Sequence, residues 1–571
     1  MMAGTTAPAR AGTTLRARVG VAVWSVMLAA VALGPLLGVL LPGGGHLLLR
    51  DGVTTPRSHL TDSALGLGES AARAVPQDAV VAVASSVVDG GTLVVGILLL
   101  ALACAGIGAG VMVARLLDTA SAAPRVVAAT VAIWNPYVAE RLLQGHWSLV
   151  VGYAVLPWTV VAAESLRRAV TARRAAAVVL CLGIAGLTPT GLLLNALVAA
   201  VVVLAPGAPR RLATGVVLAA TLLLSAPWSV AALTSGAGAE SDPAGVAAFA
   251  ARAEPGLATL GSLAGLGGIW NSDAVPSSRT TWWALVGTAL LLAVAAAGVP
   301  ALRRRRSPTI VALIGLGLLA VLLTALAATP LGLDVGRWAA DAVPGAGLLR
   351  DGQKWVALWM PGLALAAAAG STTAMRAGVA SLLVVAALPD LAWGAGGALR
   401  PVHYPDDWAQ VTASIGASEQ DVAVLPSGTF RVFPFSGEVP VLDPAPRWLA
   451  ADVLQTGDLP VGGQVVAGEG ERAREVEGRL LSGRAPDPSL GVGWVLLEVS
   501  SRGEFGRVDE AVGALDEVYA GPDLVLYRVP DAITPAPADR TAAVATHLLW
   551  AGLTLAAGAT VAAGTVRSRR R

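Results

Sequence analysis

The chain has 571 residues, 55% of them hydrophobic and only 14% charged, where soluble domains carry about 25% charged residues, so a protein built for water throughout is excluded. The formal net charge is +2. The charges are segregated along the chain, so that balance indicates no partner, and no nucleic-acid partner is expected. Cys104 and Cys181 both fall inside apolar runs and lack metal-ligand spacing, which reads as small membrane-embedded residues rather than a disulfide.

Apolar runs lie at about 19–41, 92–117, 124–139, 147–164, 175–188, 190–206, 212–233, 281–300, 308–328, 354–372, 376–395 and 541–564. Read as transmembrane helices they give about 12 spans. No cleavage pattern follows the first run, which reads as a retained span. With that count every arginine cluster falls on one side: Arg16 and Arg18, Arg167 and Arg168, Arg173 and Arg174, Arg210 and Arg211, Arg303 to Arg306, and Arg567 to Arg571. The positive-inside rule then predicts a multi-pass plasma-membrane protein with cytoplasmic N and C termini. Residues 1–396 form the multi-span part, with outer loops at about 42–91, 234–280 and 329–353. The stretch 397–540 is less apolar. Strand-like "DVAVLP", "GWVLLEV" and "DLVLYRVP" alternate there with helix-like "GERAREVEGRLL", which predicts a small extracytoplasmic α/β domain. A final helix and a basic tail occupy 541–571.

Polar chemistry gathers at the outer ends of the spans. Asp51, in "HLLLRDGVTTP", sits just past the first span. It reads either as a solvated loop charge or as a base at the membrane boundary that takes a proton from an acceptor hydroxyl. In "WNPYVAERLLQGHWSLVVGYAVLPW", Asn135-Pro136 breaks the helix. Asn135, Glu140, Arg141, Gln144 and His146 cluster between interfacial aromatics, either as a surface pair with a lone histidine or as the lining of a cleft or headgroup site. "GGIWNSDAVPSSR" adds Asn271, Asp273 and Arg279 on a loop that is either a lid or a connector. "LLRDGQKW" holds Lys354, the single lysine among 40 basic residues. In a helix Arg350 and Lys354, four apart, share a face, and two cations at headgroup depth suit a phosphate. The competing reading is a snorkelling lysine.

The sequence has no phosphate-binding glycine loop, no dinucleotide fingerprint, no zincin motif and no paired CxxC, which argues against an ATP-driven pump or a zinc protease. Charges inside the apolar runs are scarce, Asp390 being the main exception. Coupled transporters place ionisable groups near the bilayer midplane, so an interfacial enzyme fits better than a conduit, whether a lipid-linked-sugar flippase or another transporter. A non-catalytic envelope-assembly protein is the other alternative.

"RDGVTTP", "RAVPQD", "GGIWNSDAVP", "LLRDGQKW", "VAVLPSGTFRVFPF" and "VLDPAPRWL", with the long tryptophan-flanked stretch, resemble a family of actinobacterial integral membrane proteins related to the GT-C glycosyltransferases. The resemblance implies a GT-C-like polytopic enzyme that moves a sugar from a polyprenyl-phosphate carrier to a cell-envelope glycan or glycolipid among membrane lipids. In that class an acid of the first outer loop is the catalytic base or helps to place a metal, and Asp51 matches by location. Many members carry two neighbouring acids there, whereas Arg50 precedes Asp51 here. No cofactor or metal ligand is assigned, and a divalent metal stays open. Arg350 and Lys354 would hold the carrier phosphate. Asn135, Glu140, Arg141, His146, Asn271 and Asp273 would line the sugar cleft.

Overall fold

The computed structural model describes residues 7–69, 74–207, 211–234, 242–343, 345–461 and 464–570; Arg210 and Arg571 lie outside them. Most of the chain is helical, with a small sheet region near the C terminus. Among the described residues six helices are long and apolar enough to cross a membrane: Leu15–Leu40, Gly90–Leu116, Trp147–Arg168, Trp283–Arg305, Pro308–Ala327 and Thr541–Gly564. Two bent pairs raise that number to eight. The expected twelve are not reached. The run at 124–139 ends as a 12-residue helix at Ile133, and that at 354–372 gives an 11-residue helix, Met360–Gly370, after a 3-10 segment. Eleven residues rise about 16 Å, roughly half of a hydrocarbon core. Nine of 12 and ten of 11 residues of these helices are buried, so neighbouring helices rather than lipid cover most of them. The runs at 175–188 and 190–206 likewise form helices of 14 and 16 residues, Ala172–Ala185 and Pro189–Leu204.

Ten strands among the described residues complete the architecture. β1 (Leu48–Leu49) and β2 (Gly52–Val53) form a hairpin paired Leu48↔Val53 and Leu49↔Gly52. In the C-terminal region β3 is Asp421–Leu425, β4 Phe430–Arg431, β5 Val441–Leu442, β6 Leu459–Val461, β7 Gln464–Val466, β8 Val492–Leu497, β9 Asp516–Ala520 and β10 Val525–Arg528. The main sheet runs β3-β8-β10-β9, with β4-β5 and β6-β7 as separate pairs. β3 lies parallel to β8. A parallel pair needs a crossover, which the helix Glu471–Leu481 provides, burying Ala473, Val476 and Leu480. Both strands are buried along their whole length, because each face of the sheet meets its own apolar cluster.

One of those clusters sets the position of the first hairpin. Successive strand side chains point to opposite faces. Leu47 and Leu49 pack into the core of the membrane helices. Leu48 and Val53 pack with Trp408 and Trp448 in the core of the C-terminal sheet. The hairpin is therefore the seam between the two halves, and its two-residue tip is Arg50-Asp51.

Candidate functional site

The helix Pro136–Gln144 frames the other wall of the seam. Asn135 caps it, its side-chain oxygen accepting from the Val138 N–H at 3.1 Å, and Pro136 takes the first position, where no donor is lost. Gly145 ends the helix at φ +84°, in the left-handed region that favours glycine. There it meets Gly52 so closely that a Cβ on Gly145 would lie 2.0 Å from the Gly52 nitrogen. The next residue, His146, opens the long helix Trp147–Arg168.

Against this turn the hairpin tip is fixed from both sides. The Asp51 N–H donates to the Gln144 carbonyl at 3.1 Å, and the Arg50 carbonyl accepts from Leu442 N–H of β5 at 2.8 Å. Arg50 holds φ +48°, a costly conformation for a residue with a side chain. Its guanidinium donates to the Leu143 carbonyl at 2.7 Å and to the Asp273 carbonyl.

The Asp51 carboxylate accepts from His146 Nε2 at 2.8 Å and from Gln144 Nε2 at 3.2 Å. Asn271 Nδ2 donates in turn to Gln144 Oε1 at 2.8 Å. His146 Nδ1 lies 3.1 Å from Arg141. Arg141 makes a bidentate pair with Asp351, at 2.8 and 3.1 Å. Lys354 Nζ stands 3.7 Å from the same carboxylate. Asp51, His146, Arg141, Asp351 and Lys354 thus form one continuous network. The Asp51, His146 and Lys354 side chains keep 28%, 19% and 27% of their surface exposed, so the network opens outward at those three groups.

Electrostatics follow from the geometry. Burial opposes ionisation of Asp51, but the His146 and Gln144 hydrogen bonds and the Lys354 charge outweigh it and hold the carboxyl below its ordinary value. Burial also opposes ionisation of Asp351. The Arg141 and Lys354 charges prevail and hold it at about 2. Burial lowers the His146 imidazole, with Asp51 pulling the other way and Lys354 and Arg141 adding to the decrease.

Other residues expected at the site take different places. Glu140 is fully buried and accepts from the Gly268 and Ile269 N–H groups and from Gln353 Nε2, at 3.1, 3.2 and 3.0 Å. It is a strut for the loop that carries Asn271. Asn135 is equally buried, donating to Tyr153 at 2.9 Å. Asp273 contributes its backbone carbonyl, while its side chain is exposed. The shared face of Arg350 and Lys354 does not form. The chain there is 3-10 helix interrupted at Arg350-Asp351, and such helices bring i and i+3 into line, so Asp351 faces Lys354. Arg350 lies over the Phe249 ring at 5.2 Å. Asp351 and Gln353 were missed as site residues, although both stand inside "LLRDGQKW" beside the lone lysine. Asp390 accepts from Ser277 and Ser278 at 2.6–3.1 Å, which makes it a turn cap. Among the described residues no group of three or more His, Cys, Asp or Glu gathers as metal ligands.

No family model matches the chain, and no curated protein matches it. Among solved structures, the cryo-EM structure of the arabinofuranosyltransferase AftD from Mycobacteria is similar, with a TM-score of 0.55 and 18% sequence identity over 90% of this chain. What the two share is a fold. The chain spans 40% of the length of AftD, and the likeness to membrane glycosyltransferases expected from the sequence holds at that level.

Proposed function

We propose that the protein is a membrane glycosyltransferase that moves a sugar from a polyprenyl-phosphate carrier to a cell-envelope glycan or glycolipid at the outer face. The fold shared with AftD makes a pentofuranose, arabinofuranose first, the sugar to try. The observation that carries the reading is the Asp51 carboxylate, held ionised and partly open at the seam between the two halves. Asp51 takes the proton of the acceptor hydroxyl. The acceptor oxygen bonds to the anomeric carbon as the bond from that carbon to the carrier phosphate breaks, and the electron pair leaves with the phosphate. Lys354, on the rim of the same network, offsets the charge that develops there. Arg350, which lies over the Phe249 ring at 5.2 Å, is a second cation for the carrier headgroup. Asn271 and Gln144 orient Asp51 and border the sugar.

Purified protein in lipid nanodiscs, given polyprenyl-phospho-arabinofuranose and an arabinofuranose oligosaccharide, should extend the acceptor by one residue. Asp51→Asn should lose about 10²- to 10⁴-fold in rate, the contribution of a general base, with an unchanged melting curve. Transfer that survives Asp51→Asn, or no transfer from either pentose or hexose carriers, would remove this reading.

A further inference from the structure

The two nitrogens of His146 have fixed and different partners. Nε2 faces Asp51 Oδ2 at 2.8 Å, and Nδ1 faces an Arg141 terminal nitrogen at 3.1 Å. A guanidinium only donates hydrogen bonds and stays charged. Nδ1 must therefore be the acceptor, and the ring proton sits on Nε2, pointing at Asp51. Arg141 cannot turn away. It is fully buried, clamped by both oxygens of Asp351, bonded to Gln353, and laid over the Tyr137 ring at 5.5 Å. Protonating Nδ1 would set an imidazolium N–H against a fixed cation, so the ring also stays neutral.

We propose that His146 is a neutral Nε2–H donor whose tautomer is fixed by buried Arg141, so that it holds Asp51 as the carboxylate and cannot accept a proton from it. The order is the reverse of a serine-protease triad, where the carboxylate holds Nδ1–H and Nε2 is the base. Here Nε2 already carries its proton and Nδ1 is blocked, so Asp51 is the terminal base and returns its proton to solvent through its exposed edge. His146 is a positioning residue. The charged groups facing the pair are Lys354 and Asp351 from the 350–354 turn, Arg141 from the helix Pro136–Gln144, and Arg50 from the hairpin itself. Of these, only Arg141 touches Nδ1.

The tautomer is independent of the transfer reaction, whereas the role given to it rests on the function proposed above. The chain has five histidines, so ring-¹⁵N-histidine protein in nanodiscs gives few signals, and His146→Gln assigns those of His146. We expect an Nε2–H ring that does not titrate between about pH 5 and 8, a window spanning the ordinary imidazole value. Asp51→Asn should leave that tautomer unchanged, because Arg141 remains. An Nδ1–H ring, a titration inside the window, or a tautomer that switches in Asp51→Asn would each overturn the proposal. In the transfer assay with polyprenyl-phospho-arabinofuranose, His146→Ala removes a donor to Asp51 and should move the acid limb of kcat/KM to higher pH. His146→Gln, whose amide both donates and accepts, should move it back. A limb that stays in place would show that His146 does not hold Asp51 as the carboxylate, and a His146→Gln variant as inactive as Asp51→Asn would show that His146 handles the proton itself. If the wild type transfers no sugar, the function fails while the ring spectrum still decides the tautomer.

Discussion

Arg141 and Arg431 are both buried, and each serves partners on more than one element, yet only Arg141 joins the proposed site. Arg431, on β4, pairs with Glu498 and with Asp443 at 3.0 Å, and donates to the Gly428 carbonyl at 2.6 Å. All three side chains of that cluster are at most 3% exposed. One cation faces two carboxyl groups. Burial first, and then the Asp443 charge, push Glu498 well above the usual carboxylate range against the pull of Arg431. Arg141 instead connects outward by hydrogen bonds through His146 to Asp51, and through Asp351 to the Lys354 ammonium, 3.7 Å from that carboxylate; His146, Asp51 and Lys354 are all partly exposed. Buried charge alone does not mark a site. A hydrogen-bonded path from buried charge to an accessible group does.

The largest expected effect breaks the sealed cluster. Arg431→Met leaves two carboxyl groups uncompensated and should cost about 3–5 kcal/mol, whereas replacing all three members by apolar residues should recover most of it. Denaturant unfolding followed by the tryptophans packed on the sheet reads both. A carboxyl raised in the folded state stabilises at pH below its unfolded value, and that stability is lost as pH rises through the folded value. The Arg431→Met defect should therefore shrink in acid. A defect that does not shrink in acid would mean that Arg431 does not favour ionisation of Glu498 in the fold.

The open cluster titrates with the opposite sign. Asp351 moves from an ordinary 3.8 to about 2 in the folded protein, so its contribution is present above about pH 4 and is lost as pH falls toward 2. The shift corresponds to roughly 2 kcal/mol. Acid unfolding of wild type against Asp351→Asn tests it: the variant should be less stable near neutrality and show a flatter acid limb. Equal slopes would sever Asp351 from Arg141.

A third change separates the seam from both clusters. Gly145→Ala puts a Cβ into the left-handed region, at about 1–2 kcal/mol, and drives it toward the Gly52 backbone. The hairpin must shift, carrying Asp51 away from His146. Transfer should be lost while the C-terminal sheet unfolds as in wild type. Retained activity would mean the tip does not need its present place.

Legibility in the sequence divides along the same lines. β3, β8 and the helix Glu471–Leu481 were readable, because runs buried on both faces and a 3.6-residue stripe leave a pattern, and β10 was readable from its apolar run around the buried Leu526. β9 was not, since its side chains are mostly exposed. The break at Asn135-Pro136 was readable from proline chemistry. The span count was not, because hydropathy records apolar runs and is silent on whether a helix continues through them. Asp51, His146 and Lys354 stood out one by one as polar residues at the ends of apolar runs. Their partnership with Asp351 did not, because a helical i, i+4 spacing was assumed where the chain makes 3-10 turns. The role of Glu140 was hidden for another reason: its partners are backbone amides 128 and 129 residues away.

The smallest expected effect concerns the lone lysine. Lys354 acts on Asp51 and Asp351 together, and its own carbonyl accepts from the Tyr137 hydroxyl at 3.1 Å, so the backbone that carries it is fixed. An ammonium is a point charge that a phosphate can share with Asp351. A guanidinium would take Asp351 as a planar, bidentate partner and point less at the carrier. Lys354→Arg should therefore weaken polyprenyl-phosphate binding by less than about tenfold, within 1.4 kcal/mol, and leave the acid limb of kcat/KM in place because the charge beside Asp51 remains. Lys354→Ala should weaken binding further and move that limb to higher pH, since Asp51 loses a cation that favours its carboxylate. A binding titration with polyprenyl phosphate in nanodiscs, paired with the pH profile, separates the two variants. If both bind as wild type does, the phosphate lies elsewhere, and Arg350 beside Phe249 becomes the cation to replace next.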